Sequence, residues 1–306
     1  MPTKPLPIAF VRRGHSSSGG AEAYLKRLAA GVAALGHPVR LITTPDWPAG
    51  EWPFGEITSV HGDSPKRFAD QVAALRSSQP DEITLSLDRL WACDVYRAGD
   101  GVHAAWLERR SKFSGPLRNF VRRLVGKHDQ IVALEASLFS SQGAGRVIVN
   151  SEMVKAEIER IYGFAPDRID VVRNGIPVAD FAQARDQRAK ERAALGLNAG
   201  DLAILFVGSG WERKGLQAAA AAVDRFGGAA RLIVAGRGNE ARYRASRIQF
   251  VGVRETTALY GAADLFLLPT IYDPFSNACL EALAAGLPVI TTTANGFSEI
   301  IQSGVH

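Results

Sequence analysis

Two acidic residues, Asp273 and Glu281, lie eight positions apart in the segment YDPFSNACLEALAAGLPVITTT, residues 272–293. Because Pro274 has a restricted φ and no amide hydrogen, a helix is expected to begin just after it, with Asp273 in the loop and Glu281 inside the helix. The first amides of a helix have no intrahelical acceptor and lie at the positive end of its dipole, so they bind phosphate or hydroxyl oxygens. Here those amides belong to Phe275, Ser276 and Asn277. The segment therefore predicts a site for a ligand that carries both phosphate and hydroxyl groups.

A second candidate site is the segment FVGSGWERKG, residues 206–215, which includes the end of a predicted strand. Arg213 and Lys214 would lie with Gly208 beyond the carboxyl end of that strand and at the start of a helix, where open α/β sheets bind ligands. Arginine can bind a diphosphate through two hydrogen bonds, and lysine binds it as a point charge. The alternative is that both side chains are simply solvated and bind no ligand. This alternative is disfavoured, because the positive end of the helix dipole repels unpaired cations at a helix start. The pattern favours phosphate binding.

Glycine-rich loops elsewhere add weaker candidates. Gly19 and Gly20 precede the helix that contains Glu22, and paired glycines let a ligand approach the backbone, although an ordinary tight turn is the alternative. This loop is not Gly-x-Gly-x-x-Gly, so it does not predict a dinucleotide site. Further candidates are Gly236 in VAGRGNE, Val253 in FVGV, Asp100 and His103 in YRAGDGVH, and His15 in the first loop. For Asp100, His103 and His15, the alternative is that the aspartate is an ordinary loop residue and that the histidines have no function.

Together these motifs resemble those of the retaining nucleotide-sugar glycosyltransferases of family 4, which have the GT-B architecture of two facing Rossmann-like domains. That family carries Glu-x7-Glu, a helix of small residues and then Gly-x-Pro-Val. This chain matches from Glu281 onward and has Asp273 at the first acid. The resemblance implies that Asp273 lies beside the transferred sugar and that Glu281 holds the ribose hydroxyls of the nucleotide. The contacts to sugar hydroxyls or phosphate would come from the amides of Phe275, Ser276 and Asn277.

The resemblance also implies functions for the loops in the second half of the chain. Arg213 and Lys214 would hold the donor diphosphate and stabilise the charge that develops on the leaving group. The turn at Gly236 would lie near the base, and backbone groups around Val253 would meet the edge of the base.

In the first half of the chain, the resemblance implies contacts with the donor and the acceptor. Gly19 and Gly20 correspond to the family's GGAE loop, which faces the donor pyrophosphate. His103 would lie near the reacting sugar, and Asp100 would orient an acceptor hydroxyl.

Apolar runs alternate with helical patterns along the whole chain, which predicts parallel sheets built from βαβ units. We therefore expect an α/β fold with two Rossmann-like domains, residues 1–180 and 181–306, and a boundary close to Asp180. The turn predicted at Asn174-Gly175 resembles the place where relatives cross between domains. Relatives usually continue for several tens of residues and end in a helix that packs on the first domain. We therefore expect the second domain to be truncated at its C-terminus.

The composition is that of an ordinary globular protein: of 306 residues, 46% are apolar and 22% are charged, and the formal net charge is +5. A chain of this length exceeds what one hydrophobic core usually supports, which agrees with two domains. Cys93 and Cys279 have no metal-ligand spacing, so neither a disulfide framework nor a zinc site is expected, and a reducing cytosol fits best. The N-terminus lacks a secretory apolar region, and no apolar run approaches the roughly 20 residues that span a bilayer. The sequence therefore predicts a cytoplasmic, metal-independent protein.

The segment from Ala104 to Lys127 is strongly basic, with seven basic residues and the single acid Glu108 among aromatic and aliphatic side chains. A helix of this kind can lie on an anionic membrane, each basic side chain contributing about 1 kcal/mol near the surface. A solvated basic face is the alternative, and a nucleic-acid patch is a third interpretation. We expect the protein to bind peripherally to the anionic cytoplasmic face of the inner membrane. We do not expect it to bind nucleic acid.

The sequence thus predicts a retaining glycosyltransferase that moves a hexose from a nucleoside diphosphate sugar to a lipid-linked or polysaccharide acceptor. The expected donor is a UDP-sugar in preference to a GDP- or ADP-sugar, with no further cofactor. Within the family, ERKG and the basic segment resemble the lipopolysaccharide core glucosyltransferases. The alternative is a catalytically silent GT-B protein that binds nucleotide or membrane, because Asp273 replaces the usual glutamate and the C-terminal helix of relatives is expected to be missing. An epimerase or a phosphorylase is not supported, because neither the acid constellation of the one nor the cofactor lysine of the other is visible.

Overall fold

A computed structural model describes residues 5–15, 20–113, 127–243, 246–302 and 304 of the chain. The chain divides into two compact units, Met1–Val172 and Arg173–His306. Each unit has a hydrophobic core of its own. Both units alternate strands with helices, as the apolar runs predict.

The first unit contains a parallel sheet of seven strands within the described residues. The strands are β1 (Ile8–Val11), β2 (Val39–Thr43), β3 (Ile57–Ser59), β4 (Ile83–Ser86), β5 (Cys93–Arg97), β6 (Ala144–Val149) and β7 (Ile169–Val171). The helices are α1 (Gly20–Ala34), α2 (Pro65–Ser77), α3 (His103–Ser111), α4 (Lys127–Leu138) and α5 (Glu152–Tyr162). The strand order is β3-β2-β1-β4-β5-β6-β7.

The second unit contains a parallel sheet of five strands, again counted over the described residues. The strands are β8 (Leu202–Val207), β9 (Ala230–Ala235), β10 (Ile248–Gly252), β11 (Leu265–Leu268) and β12 (Val289–Thr291). The helices are α6 (Ala179–Ala182), α7 (Arg188–Ala194), α8 (Trp211–Lys214), α9 (Leu216–Phe226), α10 (Thr257–Ala262) and α11 (Asn277–Ala284). The strand order is β10-β9-β8-β11-β12.

Local sequence accounts for much of this architecture. Central strands of parallel sheets are buried on both faces and read as continuous apolar runs, and Phe10 of β1 and Phe206 of β8 have no exposed surface. Helix α5 shows how a cap and a stop signal set the bounds of a helix. Ser151 Oγ accepts the Val154 amide at 3.3 Å, and Gly163 ends the helix with a φ of 62°.

The direction of the strand order reverses once in each sheet, between β1 and β4 in the first and between β8 and β11 in the second. The connections that leave such a pair of strands diverge, which opens a crevice at the carboxyl edge where α/β proteins bind ligands. In the second unit these connections are residues 208–210, which lead into α8, and residues 269–276, which lead into α11. The predicted α/β fold is confirmed, and the topology locates a ligand crevice in each unit.

The segment near the predicted domain boundary belongs to the second unit. Arg173 forms an ion pair with Glu299 at 3.2 Å, and Asn174 Nδ2 donates to Asn277 Oδ1 at 2.8 Å. Asp180, where the boundary was expected, lies within α6. In the part of the chain that the structure describes, no helix is long and apolar enough to cross a membrane.

Candidate active site

A buried ion pair joins the loops that leave β8 and β11. Lys214 Nζ donates to Asp273 Oδ2 at 2.8 Å, and the two side chains keep only 13% and 7% of their surface exposed. The residues are 59 positions apart in the sequence and meet because β8 and β11 are adjacent parallel strands. The fold therefore brings together two of the residues predicted to be catalytic.

The surroundings of Asp273 keep its carboxylate ionised. Burial by itself would raise its pKa, but the charges of Lys214 and Arg213, with hydrogen bonds from Lys214 and the Phe275 amide, lower the pKa of Asp273 below its ordinary value. The Asp273 carboxylate is therefore ionised at neutral pH. Chemically, Lys214 presents a cation that a ligand oxygen can share with Asp273.

Arg213 ties the same two loops together through its side chain and its backbone. Its Nη1 donates to the Tyr272 carbonyl at 3.1 Å. Its own carbonyl accepts the Ile271 amide at 2.9 Å and Thr270 Oγ1 at 2.8 Å. These three hydrogen bonds fix the cationic loop against the acidic loop.

The two cations lie between two helices. Arg213 and Lys214 form the end of the one-turn helix α8, and Gly215 then caps the eleven-residue helix α9. They therefore directly precede the start of the longer helix, as the sequence predicts. The burial and pairing of Lys214 add to the case for a ligand site.

Gly208 and Gly236 make room for this arrangement at the carboxyl ends of β8 and β9. A Cβ at Gly208, whose φ is 145°, would lie 2.6 Å from Lys214 Cδ. A Cβ at Gly236, whose φ is 127°, would lie 2.2 Å from the Gly208 carbonyl oxygen. Both predicted glycines therefore stand where a side chain would displace the lysine or its supporting loop.

The start of α11 is already hydrogen-bonded within the protein. The helix begins at Asn277 with Ser276 as its cap, and Ser276 Oγ accepts the Cys279 amide at 3.4 Å. The Ser276 amide donates to Asn295 Oδ1 at 3.2 Å, and the Asp273 carboxylate accepts the Phe275 amide. Two of the three amides expected to be available to a ligand therefore have acceptors of their own. The Asp273 side chain folds back on the Phe275 amide two residues later, and the Asn295 side chain accepts the Ser276 amide.

Glu281 lies on α11 and is held by a tyrosine of α10. Tyr260 Oη donates to Glu281 Oε2 at 2.7 Å, and Tyr260 has no exposed surface. Burial and the neighbouring Glu281 carboxylate raise the pKa of Tyr260, so its hydroxyl keeps its proton. The sequence analysis missed Tyr260 and Asn295, because their contacts depend on the packing of separate elements.

The two residues predicted to lie near a nucleotide base follow neighbouring strands. Gly236 follows β9 and donates its amide to the Gly252 carbonyl at 2.8 Å. Val253 follows β10 and is 53% exposed. Their loops lie on the same edge of the sheet as Lys214, as the parallel pairing of β8, β9 and β10 requires.

In the first unit, Asp100 lies in the loop that follows β5, and His103 is the first residue of α3. His103 Nε2 and His128 Nδ1 are 2.9 Å apart, and the two rings stack with centroids 5.1 Å apart. Burial, followed by the positive charge of Arg89, lowers the pKa of His103 to about 4. His103 is therefore neutral at pH 7 and can donate or accept a hydrogen bond.

Three charged residues that the sequence analysis did not single out lie at the crevice of the first sheet. Arg12, which follows β1, forms ion pairs with Glu22 at 3.2 Å and with Asp88 at 3.4 Å. The Arg13 amide also donates to Asp88 at 2.7 Å. Burial raises the pKa of Asp88 in spite of Arg12. The adjacency of β1 and β4 brings Arg12 and Asp88 together, whereas Glu22 lies on the helix that follows β1.

The remaining predicted residues of the first unit lie around α1. Gly20 is the first residue of that helix, and Gly19 lies outside the described residues. The His15 ring lies 3.3 Å from a carboxylate oxygen of Glu51 and packs against Trp47 at 5.0 Å. His15 thus contacts the segment after β2.

Comparison with known proteins identifies the family. The sequence model described as Glycosyltransferase Family 4 matches residues 18–180, which is more than half of the chain. The chain belongs to glycosyltransferase family 4. A second model, Glycosyl transferases group 1, matches residues 201–306 of this family 4 enzyme.

Relatives of the family 4 chain include enzymes with different acceptors in their names. The lipopolysaccharide glucosyltransferase WaaG of Escherichia coli K12 is 26% identical over 96% of this chain and 82% of its own length. The D-inositol 3-phosphate glycosyltransferase of Pseudarthrobacter chlorophenolicus is 28% identical over 95% of this chain and 78% of its own length. Activity as a glycosyltransferase is common to both.

Solved structures confirm the GT-B class of this glycosyltransferase. The crystal structure of WaaG, a glycosyltransferase involved in lipopolysaccharide biosynthesis, has a TM-score of 0.79 at 25% identity, covering 95% of this chain and 82% of that one. HepE of Anabaena, solved with UDP-glucose, has a TM-score of 0.70 at 17% identity, covering 98% of this chain and 84% of that one. At 17% identity, the similarity to HepE shows the fold alone.

The basic segment of this family 4 enzyme is described only in part, since residues 114–126 lie outside the described residues. In α3, Arg109 forms an ion pair with the buried Glu157 at 2.8 Å, and Arg110 lies over the Trp106 ring at 5.4 Å. Phe113 is 72% exposed. The predicted membrane contact stays a prediction.

Proposed function

We propose that this family 4 glycosyltransferase is a retaining enzyme that transfers a hexose from a nucleoside diphosphate sugar to a lipid-linked or polysaccharide acceptor. The observation that carries the proposal is the buried Lys214–Asp273 pair, beside Arg213, at the crevice of the second sheet. A cation kept out of bulk water and at a ligand crevice suits a diphosphate, because electrostatic attraction is stronger where water is scarce.

The donor would be bound by residues that follow β8, β9 and β10 and by a residue of α11. Lys214 and Arg213 would contact the diphosphate, and Glu281, oriented by Tyr260, would accept the ribose hydroxyls. The loops of Gly236 and Val253 would lie along the base. A UDP-sugar is the donor we propose, ahead of a GDP- or ADP-sugar.

The chemical step would depend on stabilising the leaving diphosphate. As the bond to the sugar breaks, negative charge grows on the diphosphate while the sugar gains positive character, and the acceptor enters on the same face, which retains configuration. Lys214 and Arg213 are fixed before the reaction and so need little reorganisation. Asp273 would contact the sugar, and the first unit would supply a neutral His103 and Asp100 for the sugar and acceptor hydroxyls.

For the acceptor, we propose the lipopolysaccharide core. The proposal is supported by the likeness to WaaG along nearly the whole chain and by the basic composition of residues 104–127. The same basic segment would bring the enzyme to the anionic cytoplasmic face of the inner membrane.

Titration calorimetry with UDP, GDP and ADP, followed by transfer of labelled sugar to purified core lipid, tests this proposal. We expect UDP to bind most tightly, and Lys214→Ala to lower turnover about 10²-fold or more, as loss of a preorganised charge-stabilising donor does. Lys190→Ala is the matched control, because Lys190 is an exposed lysine of the same unit. Equal UDP affinity and turnover in the Lys214→Ala variant and the wild-type enzyme would reject the donor site, and no transfer to any heptose-terminated core would reject the acceptor.

A catalytically silent nucleotide-binding protein is the second candidate, and one observation favours it. The Asp273 carboxylate already accepts hydrogen bonds from Lys214 and from the Phe275 amide. The family pattern has a longer glutamate at this position. Under this alternative the protein binds UDP through Lys214, but it neither hydrolyses UDP-glucose nor transfers its sugar. The same calorimetry and transfer assay distinguish the two candidates.

A further inference from the structure

Glu135, in the last turn of α4, is a carboxylate with no exposed surface that accepts hydrogen bonds from four donors. Its Oε1 accepts Arg89 Nε at 2.7 Å and the His103 amide at 2.6 Å. Its Oε2 accepts the Ala104 amide at 3.1 Å and Tyr162 Oη at 3.0 Å. A buried carboxylate persists only when its charge and lone pairs are satisfied, and here one cation, two amides and a hydroxyl satisfy them.

These donors tie Glu135 to residues 99–104, which are the end of the loop after β5 and the first two residues of α3. Arg89, which is paired with Glu135, also donates its Nη2 to the Gly101 carbonyl at 2.8 Å. Nearer the start of the loop, Asn150 Nδ2 donates to the Gly99 carbonyl at 3.1 Å. The backbone of these six residues is thus fixed at Gly99, Gly101, His103 and Ala104.

The start of α3 depends on Glu135 because its own cap is weak. The N-cap residue is Val102, whose side chain forms no capping hydrogen bond. The first amides of α3 are instead accepted by a carboxylate from another helix, in the position where a helix dipole favours an anion. Glu135 therefore performs from a distance what a local serine or aspartate performs at most helix starts.

The same face of α4 also holds the imidazole of His103. His128 lies seven residues before Glu135, which places both on one side of the helix. His128 Nδ1 lies 2.9 Å from His103 Nε2. One helix face thus fixes both the backbone and the ring of His103.

We propose that Glu135 is a positioning residue for the transfer reaction: through Arg89 and the amides of His103 and Ala104, it holds the loop that presents Asp100 and His103 to the sugar. The inference rests on the proposed function, in which those two residues contact the donor sugar and the acceptor. Glu135 itself has no exposed surface, so it would contact neither the sugar nor the acceptor. Misplacement of reacting groups by about 1 Å can cost about 10² in rate, so a positioning residue can matter as much as a contacting one.

The test compares Glu135→Gln with Tyr162→Phe and with Glu157→Gln. Glutamine has one acceptor oxygen and faces a second donor with its own NH₂, so it cannot accept all four hydrogen bonds. Tyr162→Phe removes a single donor to Glu135 and leaves both loop amides bonded. Glu157, on α5, is the matched control: it is buried and paired with Arg109, which lies in the last turn of α3, away from the loop.

We expect Glu135→Gln to lower kcat about 10²-fold while the Kd for UDP changes less than about twofold, because UDP would contact residues of the second unit. Tyr162→Phe should lower kcat only a few-fold, and Glu157→Gln should leave kcat within about twofold of the wild-type value. Amide hydrogen exchange of residues 99–105 should accelerate in Glu135→Gln and not in Glu157→Gln. Wild-type kcat in Glu135→Gln, or an equal loss in both glutamine variants, would overturn the inference.

The exchange measurement separates this inference from the proposed function. If the wild-type enzyme bound no UDP, the proposed function would fall, and with it the catalytic importance of the loop. Unchanged exchange of residues 99–105 in Glu135→Gln would overturn the inference in an enzyme that is otherwise fully active, and would leave the donor site untouched.

Discussion

A lysine and a carboxylate each lose hydration when they are buried, and a pair such as Lys214–Asp273 offsets that loss only through close contact and further hydrogen bonds. The pair meets this condition, because Asp273 also accepts the Phe275 amide. At the scale of single residues, the site is therefore organised before any ligand binds. A ligand phosphate would join an existing network in which Arg213 already bridges the two loops.

Asp273→Asn should destabilise the protein at neutral pH but much less in acid. The folded-state pKa of Asp273 lies below its ordinary value, so the stabilisation is fully present above the unfolded-state pKa and is lost as the pH falls through the folded-state pKa. Removing one member of a buried pair costs on the order of 3 kcal/mol. Urea unfolding of both proteins should show this difference at pH 7 and a clearly smaller one near pH 3.

Asp170→Asn is the control for this prediction. Asp170 pairs with Arg146 at 2.9 Å, but both side chains are about half exposed. Exposed pairs contribute about 0–1 kcal/mol, so this variant should stay close to the wild type at pH 7. Equal effects of the two substitutions would mean that the Lys214–Asp273 pair is not buried in solution.

At the scale of elements, the packing of α8 and α9 against the loop after β11 depends on one glycine. Gly215 has a φ of 78°, and a Cβ there would lie 1.9 Å from the Pro269 carbonyl oxygen. No side chain fits without separating the cationic loop from the acidic loop. The glycine is therefore part of what brings Lys214 to Asp273.

Gly215→Ala should destabilise the second unit more than Gly196→Ala does. Gly196 has a similar φ of 67° but no atom within 4 Å of a built Cβ, so its substitution tests the backbone conformation alone. We expect roughly 1–2 kcal/mol for Gly196→Ala, and at least about 3 kcal/mol for Gly215→Ala, where overlap adds to the strain. Urea denaturation measures both values, and equal losses would show that the Pro269 contact is unimportant.

The elements that sequence patterns predicted are those with strong local signals. The apolar runs IAFV and LFLL coincide with β1 and β11, and α5 has both a cap and a glycine stop. The three-residue strand β3 has too few residues for a period to be visible. Helix α11 starts later than expected because the Asp273 side chain forms a turn first.

The candidate site was predictable in its residue types and not in its contacts. Asp273, Lys214 and Glu281 stand in motifs that indicate phosphate and hydroxyl binding. Their partners lie far along the chain: Lys214 meets Asp273 across 59 positions, and Glu281 meets Tyr260 across 21. Glu135 gave no signal at all, since a lone glutamate in a helix is usually exposed. Contacts of this kind follow from strand order, which local patterns do not specify.

At the scale of the whole molecule, two units carry the same arrangement, with the strand order reversing beside the first strand of each sheet. Each unit places charged residues at that point: Arg12 and Asp88 in the first, Lys214 and Asp273 in the second. The membership of family 4 agrees with this division, because separate sequence models match residues 18–180 and 201–306. We propose that the donor site belongs to the second unit.

A crystal structure of the enzyme soaked with UDP tests the central claim most directly. The account predicts the diphosphate within hydrogen-bond distance of Lys214 Nζ and the Arg213 guanidinium, and the ribose hydroxyls on the Glu281 carboxylate. UDP bound elsewhere, with Lys214 still paired to Asp273 alone and Glu281 bonded only within the protein, would contradict it.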